Sequence, residues 1–264
     1  MPKSSRQLFV KRIIELSSAK ILEIGALDNP TFHKAEANIF YLDWFSKAEL
    51  YLKHQYNNPQ KAENLVEVDF VVKDKNFHKP INQEFDLVIA NHVIEHIPNI
   101  ISWFNNVSSI LKKDGFLFLS VPHKEYTFDK IRNLTSLSQI IRNYDEDLNI
   151  PTIYQVFEHL YFYRPISAID VWKGDFQELL NQKRFSTAFE ALELARSEVS
   201  RKGYVDVHCN IFDFHSFTNI CNELYASKYI DLKLVDSKDI EKPDNEFFTI
   251  FQKTKEVTHV HNSR

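Results

Sequence analysis

The residues able to do chemistry in this chain fall into two groups. In the first, Glu23, Asp43 and Asp69 stand at or near the ends of short apolar runs: Lys20-Ile-Leu-Glu-Ile-Gly25, Ile39-Phe-Tyr-Leu-Asp43 and Leu65-Val-Glu-Val-Asp-Phe70. Asp43 follows Glu23 by twenty residues. A glycine after the first run, Gly25, lets backbone approach a ligand, and an acid at the tip of the next strand can accept from both ribose hydroxyls. That is the spacing of a nucleotide site in an open α/β sheet. The second group lies in residues 123–212: His123, Lys124, Glu125, Tyr126, Asp129, Arg132, Glu158, His159, Arg164, Asp206 and His208. Histidine exchanges a proton near neutrality and suits general-base work. His123 comes first because it directly follows an apolar run and should stand at the mouth of the site. Asp129 and Arg132, three residues apart, read equally well as a plain ion pair. Histidines and acids together can also ligate a divalent metal, but their spacing specifies no site and none is expected.

The elements that must position these residues follow from periodicity. Apolar residues Leu8, Phe9, Ile13, Ile14 and Leu16 predict an amphipathic helix before the first strand. Strands are expected at 20–25, 39–43, 65–70, 85–90 and 115–122. The last two are nearly continuous in apolar character, as parallel strands buried on both faces are. Between them, 93–111 reads as a helix ended by Lys112-Lys113-Asp114-Gly115. The βαβ rhythm breaks over 123–212, which is aromatic and helical in pattern. It resumes with a helix at 215–227 and strands at 229–235 and 246–252. The fold class expected is α/β, a doubly wound and mostly parallel sheet with an antiparallel finish. Residues 1–122 and 213–255 form its core, 123–212 an inserted helical cap over the carboxyl ends of the strands, and 256–264 a flexible tail. The cap aromatics, such as Tyr154, Phe157, Tyr161 and Trp172, are read as a second small core.

Composition narrows the partners. A formal charge of -4, with Lys and Arg dispersed, argues against nucleic acid. No stretch reaches the ~18 apolar residues of a bilayer span, and Cys209 and Cys221 lack metal-ligand spacing. A cytoplasmic protein with reduced thiols and no integral membrane association is expected.

The order of these pieces resembles the class I S-adenosylmethionine-dependent methyltransferases. The resemblance rests on Glu23-Ile-Gly25, the Asp43-tipped strand, Val68-Asp69, the segment Phe85-Asp-Leu-Val-Ile-Ala-Asn-His-Val-Ile-Glu-His-Ile-Pro98 and the turn Leu111-Lys-Lys-Asp-Gly115. It covers residues 10–122 strongly and the final strands weakly. More narrowly, Tyr41-Leu-Asp-Trp-Phe-Ser46, Val121-Pro-His-Lys-Glu-Tyr-Thr-Phe-Asp129, Gln155-Val-Phe-Glu-His159 and Tyr204-Val-Asp-Val-His208 resemble methyltransferases found with bacterial capsule and lipopolysaccharide biosynthesis enzymes.

The resemblance implies a Rossmann-like core and a set of roles. Glu23 would anchor the methionine ammonium, directly or through water, with Gly25 passing beside it. Asp43 would hold the ribose, Asp69 would flank the adenine, and Asn91 with His92 would supply backbone near the sulfonium. The chain departs from the family at Ala26, Leu27 and Asp28, where further glycine is usual, which leaves the shape of that loop open. His159 and His208 resemble family positions and join His123 as candidate bases. The activity implied is O-methylation, by S-adenosylmethionine, of a sugar, sugar nucleotide or phosphoryl (for example phosphoramidate) precursor of a bacterial surface polysaccharide. S-adenosylhomocysteine is the product, and a homodimer is admissible. The competing readings are a nicotinamide oxidoreductase or epimerase on the same sheet and a non-catalytic binding partner. His92-Val-Ile-Glu-His96 also fits an inverted zinc-peptidase pattern. A buried strand ending just before it favours a strand-to-helix turn, with Glu95 as a first-turn acid and His96 packed against the sheet.

Overall fold

The computed structural model describes residues 3–56, 58–202 and 205–254. In chain order these form α1 (Lys3–Val10), β1 (Lys20–Ile24), β2 (Asn38–Asp43), α2 (Lys47–His54), α3 (Pro59–Glu63), β3 (Phe70–Val71), β4 (Phe85–Asn91), α4 (Ile100–Ile110) and β5 (Leu111–Pro122). There follow α5 (Leu137–Asp145), α6 (Ile153–Phe162), α7 (Ala168–Lys173), α8 (Ala188–Lys202), α9 (Phe214–Ala226), β6 (Leu232–Lys238) and β7 (Glu246–Lys253). The expected tail, 256–264, lies outside the described residues.

One sheet of seven strands runs in the order β3-β2-β1-β4-β5-β7-β6. The first five are mutually parallel, and β7 lies antiparallel to both β5 and β6. The doubly wound sheet with an antiparallel finish is therefore as expected. Alternation along the strands divides the interior. One face carries Leu22, Ile24, Val88, Leu117 and Leu119 against Phe104 of α4 and Phe217 of α9. The other carries Ile21, Ile39, Tyr41, Leu87, Ile89 and Phe118 against Phe9 and Val10 of α1. Every one of these is at most 7% exposed, so each face is fully covered.

The first helix stops at Val10, short of Ile13, Ile14 and Leu16, and β6 begins at Leu232, three residues later than expected. Three further boundaries differ from expectation, each for a local reason. The helix expected from 93 begins at Ile100: a 3₁₀ turn spans Ile94–His96, Pro98 intervenes, and the Asn99 side chain caps Ser102 N. Lys112 to Gly115 does not end that helix. It forms an irregularity where β5 joins β4, with Asp114 at φ 61 and Lys112 bound to Asp86. A Cβ on Gly115 would meet Lys112 O at 3.0 Å, so backbone passes too close there for a side chain. β3 holds only Phe70–Val71, because Asp69 turns its carboxylate onto the edge of β2: Tyr41 N donates to Oδ2 at 2.8 Å.

The segment between β5 and α9 has its own apolar cluster, in which α6 and α8 bring together Val156, Leu160, Ala191 and Ala195 with Val207 and Cys209. The aromatic residues there pack on each other: Phe157 stacks on Tyr161 with centroids 5.5 Å apart, and Tyr126 on Trp172 at 4.3 Å. Of the aromatics expected in a second small core, Phe157 and Tyr161 join this cluster, whereas Trp172 stacks on Tyr126 outside it and Tyr154 is 74% exposed. The returning stretch reaches the end of β4 through backbone, Cys209 N and Asn210 N both donating to Glu95 O at 2.7 and 3.0 Å. Both cysteines are buried and free.

Candidate active site

At the carboxyl ends of β1, β2 and β4 the chain makes its first chemically organised region. Glu23 lies opposite Tyr41 and Ile89 in register. It is 1% exposed, and its carboxylate accepts from Thr31 N (2.9 and 2.8 Å), Thr31 Oγ1 (2.9 Å) and Asn91 Nδ2 (2.8 Å). Asn91 Oδ1 in turn accepts from Ser120 Oγ. Burial raises the Glu23 pKa to about 7, against the pull of these hydrogen bonds and of the Arg6 charge. Glu23 thus fixes the loop that leaves β1, and its oxygens face donors of the protein itself.

That loop is left-handed at two places, Gly25 (φ 69) and Leu27 (φ 49). The loop whose shape the departure at Ala26–Asp28 left open thus holds Leu27 left-handed without glycine, at a local cost of order 1–3 kcal/mol. At Gly25 an added Cβ would meet Val93 Cγ2 at 3.0 Å. Asp43 ends β2 with one oxygen accepting from Phe45 N at 3.0 Å. Burial raises its pKa, opposed by the Phe45 and Trp44 amides and by Lys53, and the Asp206 charge adds to the rise. Asp69, bound by Tyr41 N and by Lys34 Nζ at 2.5 Å, immediately precedes β3 and is not on a strand. Of the three expected acids, Glu23 is on β1 and Asp43 ends β2, and only Asp43 presents a carboxylate at the rim.

His92 follows β4 with φ 51 and donates its backbone N–H to Ser120 O. Its Nε2 lies 2.6 Å from Glu246, which begins β7 and also takes both Nε and Nη2 of Arg6 at 2.9 and 2.7 Å. Burial would raise the Glu246 pKa, but His92 and Arg6 outweigh it and hold the group at about 2.

A second constellation lies where residues 205–210 meet the turn after β4. His208 Nδ1 donates to Asp129 Oδ2 at 2.5 Å, and Asp129 Oδ1 also holds Arg132 Nη1 at 2.9 Å. Burial works against Asp129 ionising, yet His208 and Arg132 keep its pKa below the usual range. With Nδ1 so engaged, His208 presents its Nε2 4.0 Å from Glu95 Oε1. His96 stands edge-on to His208, with its Nδ1 2.9 Å from Asp206 Oδ1 and its Nε2 3.8 Å from Glu95 Oε1. Burial would lower the His96 pKa, but Asp206 and Glu95 raise it on balance. Chiefly through His96, Asp206 is held at about 2. His159 accepts from His208 N at its Nδ1 (3.2 Å). Burial together with the Arg132 and His208 charges pushes its pKa down to about 4. The remaining proton is therefore on Nε2, and His159 is a hydrogen-bond donor to anything beside it. A cavity of about 320 Å3 opens against His159 and Asp206, with Arg184 and Val156 on its wall.

Of the three candidate bases, the structure brings His159 and His208 together and leaves His123 apart. His123 Nδ1 accepts from Glu125 N, capping a 3₁₀ turn, and its ring abuts Tyr126 and Phe247. Burial pushes its pKa down. Sequence reasoning named Glu95 and His96 but read them as a first-turn acid and a packed histidine, because a strand–turn junction gives no sign of what faces it. The Asp206-Val-His208 alternation was the available signal for a pair of residues placed around a common point.

The chain matches the profile of a family described as the methyltransferase domain over residues 7–224. It belongs to that family. This S-adenosylmethionine-dependent methyltransferase has the family's Rossmann-like sheet, and the match decides against the oxidoreductase reading. No curated protein matches its sequence significantly. Among solved structures, the methyltransferase is similar to an S-adenosylmethionine-dependent methyltransferase from Clostridium acetobutylicum ATCC 824 (11% identity, 96% of this chain and 92% of that one, TM-score 0.48). It is also similar to magnesium protoporphyrin IX methyltransferase from Synechocystis PCC 6803 with bound S-adenosylhomocysteine (10%, 96% and 82%, TM-score 0.44). A third is the N-methyltransferase NodS from Bradyrhizobium japonicum WM9 (9%, 96% and 97%, TM-score 0.39). Among the described residues, no helix is long and apolar enough to cross a membrane.

The residues at the sheet rim fit the methyl donor. Gly25 turns left-handed close against Val93, where a side chain would crowd the loop, and Asp43 ends β2 with its carboxylate at the rim.

Proposed function

We propose that this methyltransferase methylates an oxygen of a sugar, sugar nucleotide or phosphoryl precursor of a bacterial surface polysaccharide. Bound S-adenosylmethionine supplies an electrophilic methyl group. The protein's own contribution is alignment, worth up to about 7–11 kcal/mol in favourable cases, and a place for the proton of a hydroxyl acceptor. Asp43 holds the ribose of the donor, and Asn91 and His92 line its methionine end. Glu23 acts through the loop it fixes, and Asp69 through the edge of β2.

The observation that carries the oxygen acceptor is the orientation of His208. Asp129 binds Nδ1, so Nε2 is available to take a proton at the seam between the inserted segment and β4. His159, already a donor, is suited to hold an acceptor oxygen from the cavity side. The polysaccharide context is supported by the resemblance of the segments ending in Asp129, His159 and His208, which are the ones that build this seam.

The test is a screen of cytidine- and uridine-linked sugars and phosphoramidates with a labelled methyl donor, run on wild type and His208→Ala. A hydroxyl acceptor whose turnover survives intact in His208→Ala removes the base. A product methylated on nitrogen or carbon removes the oxygen acceptor altogether.

A further inference from the structure

Glu95 is 1% exposed, and among the described residues neither of its carboxylate oxygens has a hydrogen-bond partner. A buried acid left so is costly unless something cationic comes to it. What faces it is a set of imidazoles. His96 Nε2 lies 3.8 Å and His208 Nε2 4.0 Å from Oε1. One ligand atom from each of the three residues can be chosen so that all lie within 4.8 Å of one another. At those separations a point equidistant from the three is no more than about 2.5 Å from each, a few tenths of an ångström outside transition-metal bond lengths. Small side-chain rotations close that gap.

The far side of each ring strengthens the pattern. Asp129 holds His208 Nδ1, and Asp206 stands 2.9 Å from His96 Nδ1, while the Nε2 of each ring faces Glu95. An acid behind each imidazole is how ligating histidines are fixed and made more basic. A third imidazole repeats the motif at the edge: His92 Nε2 is on Glu246 while its Nδ1 comes to 3.6 Å from Glu95 Oε1. The sequence pattern His92-x-x-Glu-His96 does not itself make this triangle, because the third corner comes from residue 208, brought in by the backbone bonds of Cys209 and Asn210 to Glu95 O.

We propose that Glu95, His96 and His208 bind a divalent first-row transition cation, with Asp206 and Asp129 as the acids that orient the two imidazoles. Two nitrogens and one oxygen leave coordination positions open. Its catalytic use rests on the reading above, in which His208 is the base of the metal-free protein; with the cation bound, the open positions hold the acceptor oxygen and take over that task.

Chelator-stripped full-length protein titrated with Co2+, followed by visible absorption, and with Zn2+, followed by calorimetry, tests the site without turnover. The expected result is one equivalent that is lost in Glu95→Gln and in His208→Ala, and bound about 10–100-fold more weakly in Asp129→Asn. Circular dichroism of each variant checks that it folds. Absence of a stoichiometric equivalent in wild type overturns the proposal. So does full retention in Glu95→Gln, which would assign the cation to other histidines such as His259 and His261. S-adenosylmethionine affinity, measured on the same stripped protein, should be unchanged. Its absence would count against the donor site and leave the cation result standing.

Discussion

Two glutamates of this protein are equally buried and oppositely furnished. Glu23 on β1 receives donors from Thr31 and Asn91, whereas Glu95, in the turn after β4, receives none. The first has its loop locked around it and can do little more than hold it. The second keeps its full capacity to bind something that the chain does not provide. In one small region, burial thus marks scaffold where a carboxylate is satisfied and a ligand site where it is not.

The comparison can be broken in several places. The largest effect is expected on the Glu95 side: His208→Ala should lower methyl transfer by about 10²–10⁴-fold, the usual worth of a positioned base, with donor affinity intact by calorimetry. A kcat within threefold of wild type would remove His208 from the chemistry.

On the Glu23 side the effect is on stability. Its folded pKa of about 7 exceeds the usual 4.5, so between those values the folded state holds more protons than the unfolded. The stabilisation is complete below pH 4.5 and is lost as pH rises through 7, amounting to about 3 kcal/mol at 1.36 kcal/mol per pKa unit. Urea unfolding of wild type minus Glu23→Gln should therefore fall by up to that amount between pH 4.5 and 8. A flat difference would mean that Glu23 ionises normally.

Asp43→Ala should weaken S-adenosylmethionine binding by about 1–3 kcal/mol, through lost charge-assisted hydrogen bonds; unchanged affinity in the folded variant refutes the ribose role. The smallest change is expected for His123→Ala, which removes only a turn cap, so that turnover stays within about twofold. A large loss there would move the proton acceptor away from the Glu95 seam.

The sheet was legible because apolar runs such as Phe85-Asp-Leu-Val-Ile-Ala90 admit few alternatives to a strand covered on both faces. β3 was misjudged because Asp69 ends the apolar run by binding backbone, an event that no periodicity records. Asp43 was legible from spacing, since a rim acid must follow the first strand at a set distance. The seam was only half legible. Asp129, His159 and His208 could be named as polar residues of the insert, but the approach of His208 to Glu95 depends on two backbone bonds from residues 209 and 210 to a turn 114 and 115 positions earlier. His123 misled for the same reason: closeness along the chain to a strand end says nothing of which way the ring turns.

Glu246 fastens the two extremities of the fold, Arg6 of α1 on one side and His92 of the rim on the other. A shortened protein lacking α1 would keep every strand of the sheet, yet it would hand His92 a carboxylate relieved of its guanidinium. Fusions or cleavage sites placed against the leading helix therefore change the surroundings of His92, and a comparison of differently tagged preparations should be made with Arg6 in mind.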